Sequence, residues 1–202
     1  MFSSFARLTA KCIRGSISHE TKVGRLAKLI HCESQNRART FKFVALGDEL
    51  IGKMVKAICL SQEGVYNSGS ISANPLRVVP SMFHTDEKVR PIPSVEFFIS
   101  SYDHRGKDAD GRGLSINVSA TKTPEELAKE IHSFYLTGSS ESIVLRCLGY
   151  GASSIAVQAM SIFNSRVANH KLCASLSTEL VPDLKTKGLN MRVVIFHIDI
   201  VD

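Results

Sequence analysis

Apolar and polar residues alternate along Leu114-Ser-Ile-Asn-Val-Ser-Ala120, which predicts a β-strand. Thr123-Pro124-Glu125-Glu126 then reads as a helix start: Thr123 can cap, Pro124 suits the first helical position, and Glu126 completes a capping box. Leu127, Ile131 and Phe134 recur at helical spacing to about Thr137, and Gly138 ends the run. Ser142–Leu148 is a mostly apolar stretch of strand length, and Gly149-Tyr150-Gly151 turns it into a second helix. On that helix Ala152, Ile155, Ala156, Ala159, Met160, Phe163 and Val167 form one continuous apolar stripe. Strands near Leu172–Leu180 and Met191–Val201 follow, separated by the polar turn 183–188. The order is βαβαββ.

The first half repeats that order. Leu26-Ala-Lys-Leu-Ile-His31 matches Leu127-Ala-Lys-Glu-Ile-His132 at an offset of 101, and Phe43-Val-Ala-Leu-Gly47 matches Leu145-Arg-Cys-Leu-Gly149 at an offset of 102. Val55 and Ala57 match Val157 and Ala159 at the same offset, and Leu76–Phe83 and Ser94–Ser101 supply the last two strands. Such offsets point to an internal duplication. The expectation is an α/β (α+β) chain with copy one at 12–103, an exposed polar, glycine-rich linker at 104–113, and copy two at 114–202. Ser61–Asn74 reads as a second flexible stretch. The first strand of copy one is expected near Ile13–Ser18, opposite Leu114–Ser119.

Composition adds limits. Apolar runs are all shorter than the roughly 18 residues a transmembrane helix needs, so no membrane role is expected. The five cysteines include no CxxC pair and fit reduced, mostly buried thiols. Residues 1–18 carry Arg7, Lys11 and Arg14, four serines and no acid, the composition of a mitochondrial presequence. Overlap with the first strand implies either a short removable part, residues 1–11, or a degenerate first strand, and the expected location is the mitochondrial matrix. The net charge of +6 is unevenly spread. Residues 19–103 hold 11 basic and 9 acidic residues, whereas 114–202 hold 8 of each, so bulk charge alone does not argue for nucleic acid.

Val118-Ser-Ala-Thr-Lys122 ahead of the first helix, and Leu148-Gly-Tyr-Gly-Ala-Ser-Ser-Ile-Ala-Val-Gln-Ala-Met-Ser-Ile162, make copy two resemble the SpoVS/Alba group of nucleic-acid-binding domains. SpoVS-like domains have a similar Val-Ser-Ala-Lys strand end and a Gly-x-Gly-Ala turn. The more distant Alba family shares the βαβαββ order. The resemblance implies that such domains pair, so a tandem copy would form a pseudo-dimer within one chain. Copy one departs at the turn, where Gly47-Asp48-Glu49 replaces Gly-Tyr-Gly and the family's turn is expected to be lost.

The resemblance carries a nucleic-acid-facing role to Lys122, with Thr121 beside it; Thr21 and Lys22 offer the same in copy one. The amides of Gly149, Tyr150 and Gly151 could hold a phosphate, and Tyr150 could stack on a base. In Alba-like domains the hairpin between the last two strands is an arm along the nucleic acid, which points to Lys185 and Lys187, and to Lys88 and Arg90 in copy one. Arg37, Arg39 and Lys42 precede the second strand of copy one, while Arg105, Lys107 and Arg112 share the linker with Asp108 and Asp110. The chain carries no HExxH, no His/Cys cluster and no nucleophile–base pair with a sequence rationale, so neither metal, cofactor nor catalysis is expected. His31 and His132, equivalent in the repeat, read as structural. The expectation is a mitochondrial protein that binds RNA, in preference to DNA, by backbone and shape within an RNA-processing complex. The alternative is a structural or assembly subunit of a mitochondrial ribonucleoprotein that binds protein subunits.

Overall fold

The computed structural model describes residues 12–36, 39–63, 75–83, 92–102, 114–136, 142–182 and 190–201. The elements run β1 (Cys12–Ser16), α1 (Val23–Ser34), β2 (Thr40–Leu46), α2 (Asp48–Gln62), β3 (Leu76–Met82) and β4 (Ser94–Ser101). The second half follows with β5 (Leu114–Val118), α3 (Pro124–Leu136), β6 (Ile143–Leu148), α4 (Gly149–Arg166), β7 (Lys171–Pro182) and β8 (Asn190–Val201). Two predicted boundaries move. Lys42 does not precede the second strand but is its third residue, because Thr40, Lys42 and Val44 continue the alternation outward while Phe41 and Phe43 point in. Ser61 and Gln62 belong to α2 rather than to a loop, and the Ser61 hydroxyl donates to the Ile58 carbonyl of its own helix at 2.6 Å.

The eight strands form one mixed sheet in the order β1-β2-β4-β3-β7-β8-β6-β5. That order is a palindrome of positions: first and second strands pair in parallel in each half, and β3 meets β7 antiparallel at Val78 and Ala174. Register repeats as well. Val78 lies opposite Ile99 and Ile99 opposite Phe41; Ala174 lies opposite Ile198 and Ile198 opposite Ile143.

Alternation buries one face of this sheet, with Phe41, Phe43, Phe97 and Ile99 from the first half and Ile143, Leu145, Phe196 and Ile198 from the second. The helices cover that face, α1 against α2, α2 against α4, and α4 against α3. One hydrophobic cluster runs through both halves. α4 lies near the centre and buries residues on every side, including Ser153, Ser154, Ser161 and Asn164. These polar groups are satisfied, as burial requires. The Asn164 amide donates to the carbonyls of Pro80 (2.8 Å) and Leu172 (3.0 Å) and accepts from the Leu172 amide at 2.6 Å. Gln62, at the end of α2, repeats this pattern toward the other half. It accepts from the Leu76 amide at 3.1 Å and donates to the Leu176 carbonyl at 3.0 Å. Each second helix thus ties the start of its own third strand to the third strand of the opposite half.

Candidate nucleic-acid interface

Both strand-to-helix turns hinge on a glycine in the left-handed region, Gly47 at φ 85° and Gly149 at φ 81°. A side chain at Gly149 would meet nothing within 4 Å, so the requirement there is backbone conformation, not space. The replacement of Gly-Tyr-Gly by Gly47-Asp48-Glu49 therefore does not lose the turn, contrary to expectation. It changes what the turn presents.

What it presents is set by the crossing of α2 and α4. A Cβ on Gly52 would lie 2.6 Å from the Tyr150 Cβ, so Tyr150 sits directly on the α2 backbone. Lys56, one turn further, places its ammonium 6.0 Å from the Tyr150 ring centre. At the reciprocal positions the chemistry is polar. Asp48 accepts from the Ser154 hydroxyl at 2.7 Å and from the Gln158 amide at 2.8 Å. Tyr150 is thus a packing residue that keeps 41% of its surface exposed. Beside it, a cleft of about 160 Å³ is lined by Lys56, Cys59, Gly149, Thr178 and Arg192. Arg192 is held by Glu63 at 3.0 Å, and burial pushes the Cys59 thiol up to about 12. This cleft joins both halves, which is why no stretch of sequence foretold Lys56 or Arg192.

The loop before α3 abuts the glycine turn. A Cβ on Gly151 would come within 3.5 Å of the Ala120 Cβ, so Thr121 and Lys122 share a neighbourhood with Gly149, Tyr150 and Gly151. The capping box forms: the Thr123 amide donates to Glu126 at 2.9 Å, and the Glu126 amide to the Thr123 hydroxyl at 3.2 Å. Donation from the Thr123 amide, and then from its hydroxyl, holds the Glu126 carboxyl below its ordinary value. Lys122 is ion-paired with Glu130, and the Thr121 hydroxyl is within hydrogen-bond distance of Ser119 at 2.8 Å. The second half therefore meets its first-loop cation with an acid of its own.

The first half does not. Thr21 Oγ1 accepts from the Ser18 amide at 2.9 Å, closing the β1–α1 loop. Lys22 is the N-cap of α1 and makes no capping bond, and no acid lies in the first turn. Lys22, Arg25 and Lys28 are exposed along one side of α1, and none has an ion pair among the described residues. Arg25 and Lys28 were legible as basic residues on the polar side of a helix, yet only the structure separates them from the paired cations. Arg39 is taken by Glu33 at 3.1 Å and Lys42 by Glu96 at 2.9 Å. On the sheet face opposite the helices Arg77 and Arg146 also meet acids, Asp199 at 3.9 Å and Glu179 at 3.4 Å. Arg37, Lys88, Arg90, Lys185 and Lys187, like the linker and residues 1–11, lie outside the described residues.

The equivalent histidines diverge. His31 is buried with Nδ1 2.9 Å from the Ser61 carbonyl, whereas His132 is exposed against the ring of Phe163, which stands where the first half has Ser61. Among the described residues no group of three or more His, Cys, Asp or Glu could hold a metal ion, and no helix is long and apolar enough to cross a membrane. No known family's sequence model matches the chain, and no curated protein sequence matches it.

Proposed function

We propose that the chain binds RNA through the phosphate backbone, as a tandem pair of Alba/SpoVS-like units joined within one polypeptide. The observation that carries this reading is the row of Lys22, Arg25 and Lys28 on the first turns of α1, exposed and without ion pairs among the described residues. Its place matches the loop-to-helix position that the SpoVS/Alba resemblance assigns to nucleic acid, but in the opposite half from the clearer sequence match. The repeated βαβαββ order and the palindromic sheet support the pairing. The acid-free basic stretch at residues 1–11 supports a mitochondrial location.

The test is fluorescence anisotropy of the full chain with a single-stranded RNA across a salt series. Losing three phosphate contacts in K22E/R25E/K28E should flatten the log–log salt slope by about 2. The expected result is binding at low salt that weakens at least tenfold in the triple variant and little in Lys122→Gln. No binding at low salt, or an unaffected triple variant, defeats the proposal.

A second reading rests on the sheet face opposite the helices, which no described element covers. There the described cations are largely paired, while Phe98 and Leu148 stay 42% and 49% exposed. Such a face suits a protein subunit of a mitochondrial ribonucleoprotein better than a phosphate backbone. Partners that remain after nuclease treatment and are lost in Phe98→Glu would favour it.

A further inference from the structure

Between α3 and the last turns of α4 lies a groove of about 360 Å³, remote in sequence from the row on α1. Lys129, His132 and Ser133 reach it from one side of α3, at helical spacings of three and four. Arg166, the last residue of α4, faces them, and Ile162, Phe163 and Val167 form an apolar floor. Neither Lys129 nor Arg166 has an ion pair among the described residues. Of the acids nearby, Glu126 is bonded to Thr123 and feels Lys129 only through space, Glu130 is taken by Lys122, and Glu125 makes no ion pair with Lys129 among the described residues.

The groove exists because of one exchange between the halves. In the first half a serine at position 61 leaves room for His31 to turn inward onto its carbonyl. In the second half the buried Phe163 fills that space and His132 stays outside, its ring 5.9 Å from the Phe163 ring. Tyr135 adds a third ring, 5.7 Å from Phe163 and edge-on to it. The result is a groove with the His132 ring exposed on one side, only the edge of the buried Phe163 in its floor, and two cations that make no ion pair among the described residues.

We propose that this groove binds a small organic phosphate with a flat aromatic body, the class of a nucleoside monophosphate. Arg166 offers a planar fork and Lys129 a point charge for a dianionic head, and the Ser133 hydroxyl can donate to it. The body lies against the exposed His132 ring and over the apolar floor at Ile162 and Val167. The volume falls within the range of about 300–1,000 Å³ usual for small-molecule sites.

Titration calorimetry of the full chain with AMP, adenosine and inorganic phosphate, each alone, tests this. AMP should bind at least tenfold more tightly than either fragment, and K129Q/R166Q should weaken it at least tenfold. Both substituted residues are exposed, so the variant should keep its Tm and its RNA binding through α1, which separates failure here from failure of the RNA reading. As a second readout, the His132 ring protons should shift on adding AMP to the unaltered protein. No AMP binding at millimolar concentration, equal binding of AMP and phosphate, indifference to K129Q/R166Q, or an unmoved His132 signal would each overturn the proposal.

Discussion

Alanine at position 52 sets two opposed effects against each other. In an open helix, glycine to alanine gains about 1 kcal/mol of helix propensity. Here the new methyl would sit 2.6 Å from the Tyr150 Cβ, 2.8 Å from its Cγ and 2.9 Å from its Cδ1. Carbon atoms pack at about 3.5–4.0 Å, so α2 and α4 must separate by roughly 1 Å where they cross. Overpacking of this kind costs about 1–3 kcal/mol, and the separation strains the Asp48–Ser154 bond on the other side of the crossing. The net expectation for Gly52→Ala is a loss of about 1–2 kcal/mol, read as a lower urea midpoint with an unchanged m-value. At about 2–4 °C per kcal/mol for a chain of this size, Tm should fall by several degrees. The contact is with Tyr150 Cβ itself, so Tyr150→Ala should relieve it only in part, whereas Tyr150→Gly should show strong positive coupling in a double-mutant cycle. A G52A variant more stable than the parent by about 1 kcal/mol would show that the helices do not touch there.

Asn164→Leu removes three buried hydrogen bonds and orphans the Leu172 amide, so a loss of about 2–4 kcal/mol in urea unfolding is expected; a loss below 1 kcal/mol would refute its bridging role. Burial holds the Cys147 thiol at about 12 and that of Cys173 at about 11, alongside Cys59. Native protein at pH 8 should therefore take iodoacetamide first at exposed Cys32, then at half-buried Cys12, and at the other three only after unfolding, as read by peptide mass spectrometry. Partial desolvation of the otherwise exposed His197, opposed by the Asp199 charge, lowers its pKa from the ordinary value. The unfolded chain then binds that proton more readily, so stability is full above about pH 6.5 and declines as pH drops from there toward the lower folded value. His197→Gln should flatten this part of the urea midpoint against pH profile, and an unchanged slope would count against the desolvation cause.

Local signals carried most of the architecture into the sequence. Caps, apolar periods and alternating strands are properties of a few neighbouring residues, which is why the Thr123–Glu126 box and the strands of the second half stand close to where pattern put them. Lys42 and Ser61 were misplaced because polarity reads as loop, although an outward strand position and a hydroxyl bonded to its own helix accept polar residues equally well. The site was far less legible. Lys122 and Lys22 look alike in sequence, and only the presence of Glu130 within reach of one separates them. The kinship of Gln62 and Asn164 is hidden further, since the two residues differ in type and their bonds run to strands far along the chain.

The junction of β3 and β7 has a thermodynamic consequence. A palindromic sheet assembled from separate chains would melt at a temperature that depends on protein concentration. Here the polypeptide that leads from β4 to β5 makes the association unimolecular, with an effective local concentration set by the connection rather than by the solution. The two sides of the crossing are also no longer interchangeable: Tyr150 fits opposite Gly52, while a like-with-like pairing would set it against Ser154. A tethered partner is always present, so each half is free to differ from the other without needing to recognise a copy of itself.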